Sequence, residues 1–161
     1  MKSSASDMFS ISYMRLAGLF MIVLFLALAI FAPLVAPHDP WKTEKPYLSP
    51  SGEHPLGTND IGQDILSELI YATRVSLSIG FLAGFLSVFV GASLGILAGY
   101  YRGAVEEVVM AVSDMVLLIP GLPFMIILAA YLSPSMYNIV LVVSLLWWCP
   151  TARVVHSRVL Q

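Results

Sequence analysis

Long stretches without a charged residue dominate the hydrophobic pattern of this chain. Three such runs cover residues 16–36, 75–101 and 115–152. A helix needs about 20 apolar residues to cross the hydrocarbon core, so the third run is too long for one crossing. Ser133 and Pro134 are turn-forming and helix-breaking, and we divide the run there. The pattern predicts an all-α polytopic transmembrane helix bundle with four spans, at 16–36, 75–100, 107–132 and 136–155.

Composition supports a membrane protein. The chain is 58% hydrophobic and 11% charged, whereas soluble domains are about 25% charged. Its net charge of −2 is too small to indicate a nucleic-acid partner. Cys149 is the single cysteine, which excludes an intrachain disulfide. The first span could also be a signal peptide, but its apolar run is long and Pro37 fits poorly beside a cleavage site, which favours an uncleaved anchor.

Basic residues predict the orientation of the spans. With a cytoplasmic N-terminus, five lie inside and three outside, a modest bias that agrees with the positive-inside rule. The inside set is Lys2, Arg15, Arg102, Arg153 and Arg158, and the outside set is Lys42, Lys45 and Arg74. We therefore expect a multi-pass protein of the cell membrane with its N-terminus in the cytoplasm.

Residues 37–73 then form one large segment outside the membrane. Its first half contains five prolines and is predicted to be extended or turning. In its second half, Asp60 to Tyr71 separates apolar from polar residues with a helical period. This predicts a short amphipathic helix in the outer interface, with Thr58 or Asn59 as its N-cap.

Small residues recur every fourth position in the second span. One stripe is Ala83, Ser87, Gly91, Gly95 and Gly99, and another is Gly80 and Gly84. This spacing lets helix backbones approach closely in lipid. It indicates either a helix beside a translocation path or packing alone, and the sequence leaves both open.

Three further features have competing interpretations. Gly91 to Gly95 matches the G-x-S-x-G elbow of hydrolases around Ser93, but it lies inside an apolar helix, so we expect no enzyme activity. Asp114 is an acid within a span and a functional candidate, although a hydrated position near the cytoplasmic interface is favoured. Pro120, with Pro123 and Pro150, predicts bent helices around a path or simple kinks.

Neither a metal site nor a nucleotide site is predicted. The polar residues His38, Asp39, His54, Asp60 and Asp64 match no compact ligand spacing, and a solvated surface is favoured. The chain has no G-x-x-x-x-G-K-[ST] loop, so no cofactor is expected in it and any ATP is used by partner subunits.

A longer motif gives a family resemblance. Residues 54–67 read H-P-L-G-T-N-D-I-G-Q-D-I-L-S, which resembles the H-P-L-G-T-D-x-L-G-R-D-x-L-S segment of the peptide and nickel permeases of ABC importers. Residues 69–77, 97–100 and 114–120 are also similar to that family, and the resemblance is strongest to its second-permease type. It places an outer mouth at His54, Pro55, Leu56, Gly57, Thr58, Asp64 and Arg74. From its position alone, we expect the segment from Tyr71 to Ser76 to lie at the interface.

The departures concern charge and length. Gln63, Glu68 and Ala111 stand where the family usually has arginine. The family has six spans and a cytoplasmic E-A-A…G loop that docks on the ATPase, so four spans imply an N-terminal fragment without coupling residues. We expect an anchor and proline-rich loop at 1–58, and the N-terminal part of a type-1 permease transmembrane domain at 59–161.

The resemblance implies an importer that works by alternating access. Its expected partners are a second permease subunit, two ATP-binding cassette subunits, an extracytoplasmic solute-binding protein and the lipid bilayer, with no nucleic acid. The solute implied is a peptide or a related small molecule, nickel complexes included. The alternative is a small tetraspan interaction or assembly protein that transports nothing.

Overall fold

The computed structural model describes residues 5–161, with side chains from Tyr13 onward except at Ala129. Lys2 lies outside the described residues. Five α-helices and no strands occur in this part of the chain. The helices are α1 (Ala5–Val35), α2 (Ile65–Tyr101), α3 (Gly103–Leu118), α4 (Gly121–Tyr131) and α5 (Met136–Val159). The predicted all-α class is confirmed.

Three of these helices are long and apolar enough to cross a bilayer, namely α1 from Tyr13, α2 and α5. The α3–α4 pair passes the same test as one span bent by 84°. Many large apolar side chains of these helices are exposed, for example Leu16 at 60% and Phe81 at 75%. Such surfaces are stable only against lipid or further protein, as expected for a membrane protein.

The prediction of a separate interfacial helix at 60–71 is wrong. Helix α2 runs without a break from Ile65 to Tyr101, so its first turns include most of that amphipathic stretch. Nothing between Tyr71 and Val75 breaks a helix, since no Pro or Gly occurs there. The predicted N-cap is also wrong, because Asp64 accepts a hydrogen bond from the Ser67 amide at 2.8 Å and caps the helix instead.

The third predicted span is two helices. Helix α3 ends at Leu118, and α4 begins at Gly121 after Pro120, whose backbone is extended. Proline cannot continue the helix from α3 because it lacks an amide donor. Pro150 behaves differently, since α5 continues through it unbroken. The predicted bend is thus found at Pro120, whereas Pro123 and Pro150 lie inside α4 and α5.

The remaining boundaries follow the predicted turn chemistry. Arg102 alone separates α2 from α3, with a positive φ of 51°. Ser135 caps α5 by accepting a hydrogen bond from the Tyr137 amide, which confirms the division at Ser133 and Pro134.

The chain divides into two compact units. The first ends at Leu77 and contains α1, the outer segment and the start of α2. The second begins at Ser78 and contains the rest of α2 with α3, α4 and α5. Its buried core is Trp148, Cys149 and Ala152 of α5, against which Leu94 and Val116 pack.

Candidate functional site

The outer segment of the first unit is held by backbone hydrogen bonds to the motif that precedes α2. The amide of Glu44 donates to the Gly62 carbonyl at 2.8 Å, and that of Tyr47 to the Asn59 carbonyl at 3.1 Å. The Thr58 hydroxyl accepts from the Leu48 amide at 2.9 Å and donates to the Lys45 carbonyl at 2.7 Å. Residues 44–48 therefore lie along residues 58–62 as a closed loop.

Two glycines of the motif make this closure possible. Gly57 has a φ of +77° and Gly62 a φ of +85°. A Cβ on Gly57 would overlap the Leu48 carbonyl, and one on Gly62 would overlap the Glu44 carbonyl. Gly57 and Gly62 are therefore needed both for their positive φ and for the lack of a Cβ that would meet a carbonyl. Pro55 and Leu56, also assigned to the outer mouth, are exposed.

Inside this loop, His54 and Asp64 form a buried pair. His54 is 3% and Asp64 2% exposed. The His54 Nδ1 lies 2.9 Å from the Asp64 Oδ1, and its Nε2 lies 3.3 Å from the Glu44 Oε2. The prediction of a solvated surface is therefore wrong for these two residues, because the loop closes over them. It is right for Asp39 and Asp60, which are exposed.

The pair favours its charged forms. The hydrogen bond to Asp64 raises the pKa of His54 above its usual value, against the lowering effect of burial. Burial alone would raise the pKa of Asp64, but hydrogen bonds from Ser67 and His54 outweigh it, so this pKa lies below its usual value. The Ser67 hydroxyl donates to the Asp64 Oδ2 at 2.7 Å.

His38 brings a second imidazole to the pair. Its ring centroid is 4.7 Å from that of His54, and its Nδ1 is 3.9 Å from the Asp64 Oδ2. Its amide donates to the Ser67 hydroxyl at 3.0 Å, which anchors the chain just after α1. The spacing of 38, 54 and 64 gave no sign of this cluster, because only the loop closure brings the three together.

In the second unit, the first small-residue stripe packs along α5. A Cβ on Gly91 would lie 2.5 Å from the Trp148 carbonyl oxygen, and one on Gly95 would lie 2.5 Å from that of Ala152. A Cβ on Gly99 would lie 2.7 Å from a Val159 methyl carbon. We call this contact the glycine seam. Gly80 and Gly84 have nothing within 4 Å of such a Cβ among the described residues, so the second stripe does not share the seam.

The order of contacts along the seam gives its direction. As the α2 position rises from Gly91 to Gly99, its α5 partner rises from Trp148 to Val159. The two helices are therefore parallel. Two parallel spans require one crossing in the opposite direction between them, and the α3–α4 pair is the chain that makes it. Counted as one span, this pair brings the candidate spans among the described residues from three to the four predicted.

Charged residues join α3 to the C-terminal end of α5. Asp114 forms an ion pair with Arg153, with side chains 57% and 47% exposed. Glu106 lies 2.9 Å from the Nε2 of His156. Asp114 is thus a paired and partly exposed acid, and the sequence alone did not identify its partner.

Beside the bend between α3 and α4 lies an apolar cleft of about 670 Å³. Pro120 lines it together with Trp147 and Pro150 of α5.

Two other residues singled out in the sequence, Arg74 and Ser93, lie outside these clusters. Arg74 is exposed on α2. Ser93 donates to the Phe89 carbonyl at 2.7 Å within α2, so the G-x-S-x-G match lacks the strand–turn–helix bend of a nucleophile elbow.

These features define a polytopic α-helical membrane protein with a closed outer loop and a tightly packed helix seam. The family model for the N-terminal transmembrane domain of oligopeptide transport permease C matches residues 8–52. The chain is 39% identical over 137 residues to the dipeptide transport system permease protein DppC of Haemophilus influenzae, covering 80% of this chain and 46% of that protein.

Two further relatives are also permease proteins of transport systems. The oligopeptide transport system permease protein OppC of Bacillus subtilis is 32% identical over 153 residues, covering 92% of this chain and 49% of that protein. The glutathione transport system permease protein GsiD of Pectobacterium atrosepticum is 32% identical over 147 residues, covering 89% and 48%. The chain spans about half the length of the curated relatives it matches. It belongs to the permease family of dipeptide and oligopeptide ABC transport systems, of the second-permease type.

Proposed function

We propose that this chain belongs to the permease of an ABC importer for peptides or a related small solute, nickel complexes included. The observation that carries the proposal is the 39% identity to a dipeptide transport permease over 80% of the chain. Relatives are named for dipeptides, oligopeptides and glutathione, so a short peptide is the solute class that best fits all of them.

The geometry supports a path-forming role. The glycine seam at Gly91, Gly95 and Gly99 holds the backbone of α2 close against α5. Such close packing suits a rigid element of an alternating-access transporter. On this proposal, the bend at Pro120 and the cleft beside it would put irregular backbone within the membrane. Such backbone is tolerated where it faces protein or a cavity. We assign the cleft to a surface facing the path or the neighbouring helices of the assembled permease.

Partners and orientation follow from the same proposal. A second permease subunit would complete the path, two ATP-binding cassette subunits would drive it, and a solute-binding protein would deliver the solute to the outer segment. The N-terminus would lie in the cytoplasm of a cell whose plasma membrane holds the complex. The contacts of Glu106 and Asp114 with α5 would then lie toward the cytoplasmic side.

Uptake of a radiolabelled dipeptide tests the function. Proteoliposomes containing the assembled transporter, with ATP inside and binding protein outside, should accumulate the peptide. Gly95→Leu should reduce the rate by roughly 10-fold or more, because overpacking separates α2 from α5. Gly84→Leu is the matched control on the same helix. Equal uptake by a complex lacking this chain would refute the proposal and leave the assembly role.

Cysteine labelling tests the orientation. In a Cys149→Ala background, Lys45→Cys should react with an impermeant maleimide added to intact cells. Arg158→Cys should react only after permeabilisation. The reverse pattern would place the N-terminus outside.

A further inference from the structure

The cluster of His38, His54 and Asp64 combines three groups that bind transition metals. One nitrogen or oxygen from each lies within 4.8 Å of the other two. Two imidazoles and a carboxylate are a ligand set typical of zinc and neighbouring divalent metals. We propose that this cluster is a binding site for a divalent transition-metal cation that fastens the outer segment to the start of α2.

The first argument is an unpaired nitrogen. The Nδ1 of His38 is buried and has no hydrogen-bond partner among the described residues, although it points toward the Asp64 carboxylate at 3.9 Å. A buried polar atom without a partner is costly, and native structures usually provide one. A metal ion between His38 and Asp64 would supply it.

The second argument concerns distances. Ligand atoms of a tetrahedral zinc site are roughly 3.3 Å apart, given metal–ligand bonds of about 2.0–2.1 Å. The His54 Nδ1 and the Asp64 Oδ1 are 2.9 Å apart, close to that value. His38 is the ligand that must approach. Its side chain is 25% exposed and makes no hydrogen bond among the described residues, so it can move toward the other two ligands.

The third argument is the surrounding hydrogen bonds. If His54 binds through Nδ1, its Nε2–H donates to the Glu44 carboxylate, 3.3 Å away. The Asp64 Oδ2 accepts from both the amide and the hydroxyl of Ser67. Metal-binding histidines commonly donate their other nitrogen to a carboxylate, and metal-binding carboxylates are themselves hydrogen-bonded. Both supports are already present.

A second possible group, Glu44, Glu53 and His54, is weaker. Both glutamates are exposed, and Glu44 already lies 2.9 Å from the Lys42 ammonium. The proposed site therefore uses the Nδ1 face of His54. Binding would replace the proton that Nδ1 shares with Asp64, and that proton would leave to solvent.

Equilibrium dialysis of the full chain in detergent, freed of any affinity tag, tests the site with ZnCl2 as probe. We expect one Zn²⁺ per chain. His38→Ala should weaken binding by more than the roughly 10–100-fold that a supporting hydrogen bond is worth, and Glu44→Gln should fall within that range. Asp60→Asn, Glu53→Gln and His156→Ala are matched controls that should leave binding unchanged.

CoCl2 gives a second readout, since Co²⁺ bound by nitrogen ligands at a four-coordinate site has strong visible absorption bands. These bands should appear in the wild type and vanish in His38→Ala. In the part of the chain that the structure describes, the His38 side chain makes no hydrogen bond, so His38→Ala should fold even if His54→Ala does not. Absence of Zn²⁺ binding, equal binding by His38→Ala, or loss on Glu53→Gln alone would each overturn the proposal. None of these results depends on whether the chain takes part in peptide transport.

Discussion

Gly95 of α2 lies against Ala152 of α5 so closely that a Cβ on Gly95 would be 2.5 Å from the Ala152 carbonyl oxygen and 3.0 Å from the Val155 Cβ. The atom that it would meet first belongs to a backbone and cannot rotate away. Ala152 itself is fully buried. The two helices can approach to this distance only because both residues are small.

We therefore predict that Gly95→Ala destabilises the protein by about 1–3 kcal/mol, the usual cost of overpacking. The measurement is the unfolding midpoint in mixed micelles of increasing SDS content, followed by circular dichroism. Gly84→Ala makes the same change in the same helix where nothing lies within 4 Å, and it should leave the midpoint unchanged. Equal effects of the two variants would show that the seam is not close-packed in the membrane.

The outer loop depends on a different property of glycine. Gly57 needs both a positive φ of +77° and the absence of a Cβ that would overlap the Leu48 carbonyl. Strained backbone of this kind costs about 1–3 kcal/mol for a residue other than glycine. We predict that Gly57→Ala opens the loop, with faster hydrogen exchange of the amides of Tyr47 and Thr58, which are bonded across it.

Mass-spectrometric hydrogen exchange of the peptides covering residues 44–64 measures this effect. Gly52→Ala is the matched control, because Gly52 has open space around it and lies in the same segment. If Gly57→Ala exchanges as slowly as the control, the closure seen between residues 44–48 and 58–62 does not hold in solution.

Asp64 combines two stabilising roles, since it caps α2 through the Ser67 amide and accepts from the buried His54. Loss of an N-cap costs about 0.5–2 kcal/mol, and loss of the His54 partner adds to it. We predict that Asp64→Ala speeds hydrogen exchange in the first turns of α2, around Ile65 to Ile70. Asp60→Ala removes an exposed acid nearby and should not; unchanged exchange in both variants would argue against the cap.

The helices could be predicted because uncharged runs of about 20 residues have few stable alternatives to crossing a membrane. The glycine seam also followed from sequence, since the four-residue spacing of Gly91, Gly95 and Gly99 places them on one helix face. Its partner did not follow, because nothing local identifies α5. Pro120 indicated the bend between α3 and α4 but not its angle of 84°, because proline permits both a kink and a break.

The outer cluster was beyond prediction for a related reason. His38, His54 and Asp64 lie in loops and at a helix start. In such segments no regular repeat predicts the direction in which a side chain points. Their meeting depends on the backbone turns at Gly57 and Gly62. The amphipathic pattern of 60–71 indicated a helix correctly but not that it continues into the membrane span. Asp64 was assigned to a polar helix face, whereas as the N-cap it turns inward toward Ser67.

The ion pair between Asp114 and Arg153 allows a test of where the α3–α5 contact lies. Both side chains are about half exposed within this chain, and exposed ion pairs contribute only about 0–1 kcal/mol in water. A double-mutant cycle with Asp114→Asn and Arg153→Gln, measured by SDS unfolding in micelles, should therefore give a coupling energy of about 1 kcal/mol or less. The coupling should shrink as salt rises, because water-exposed charges are screened. The exposed pair of Lys42 and Glu44 provides a reference cycle, whose coupling should fall with salt in the same way.

A coupling between Asp114 and Arg153 that is several times larger and insensitive to salt would instead place Asp114 in the hydrocarbon region. There an unpaired carboxylate is costly, and the acid would become a candidate for the translocation path.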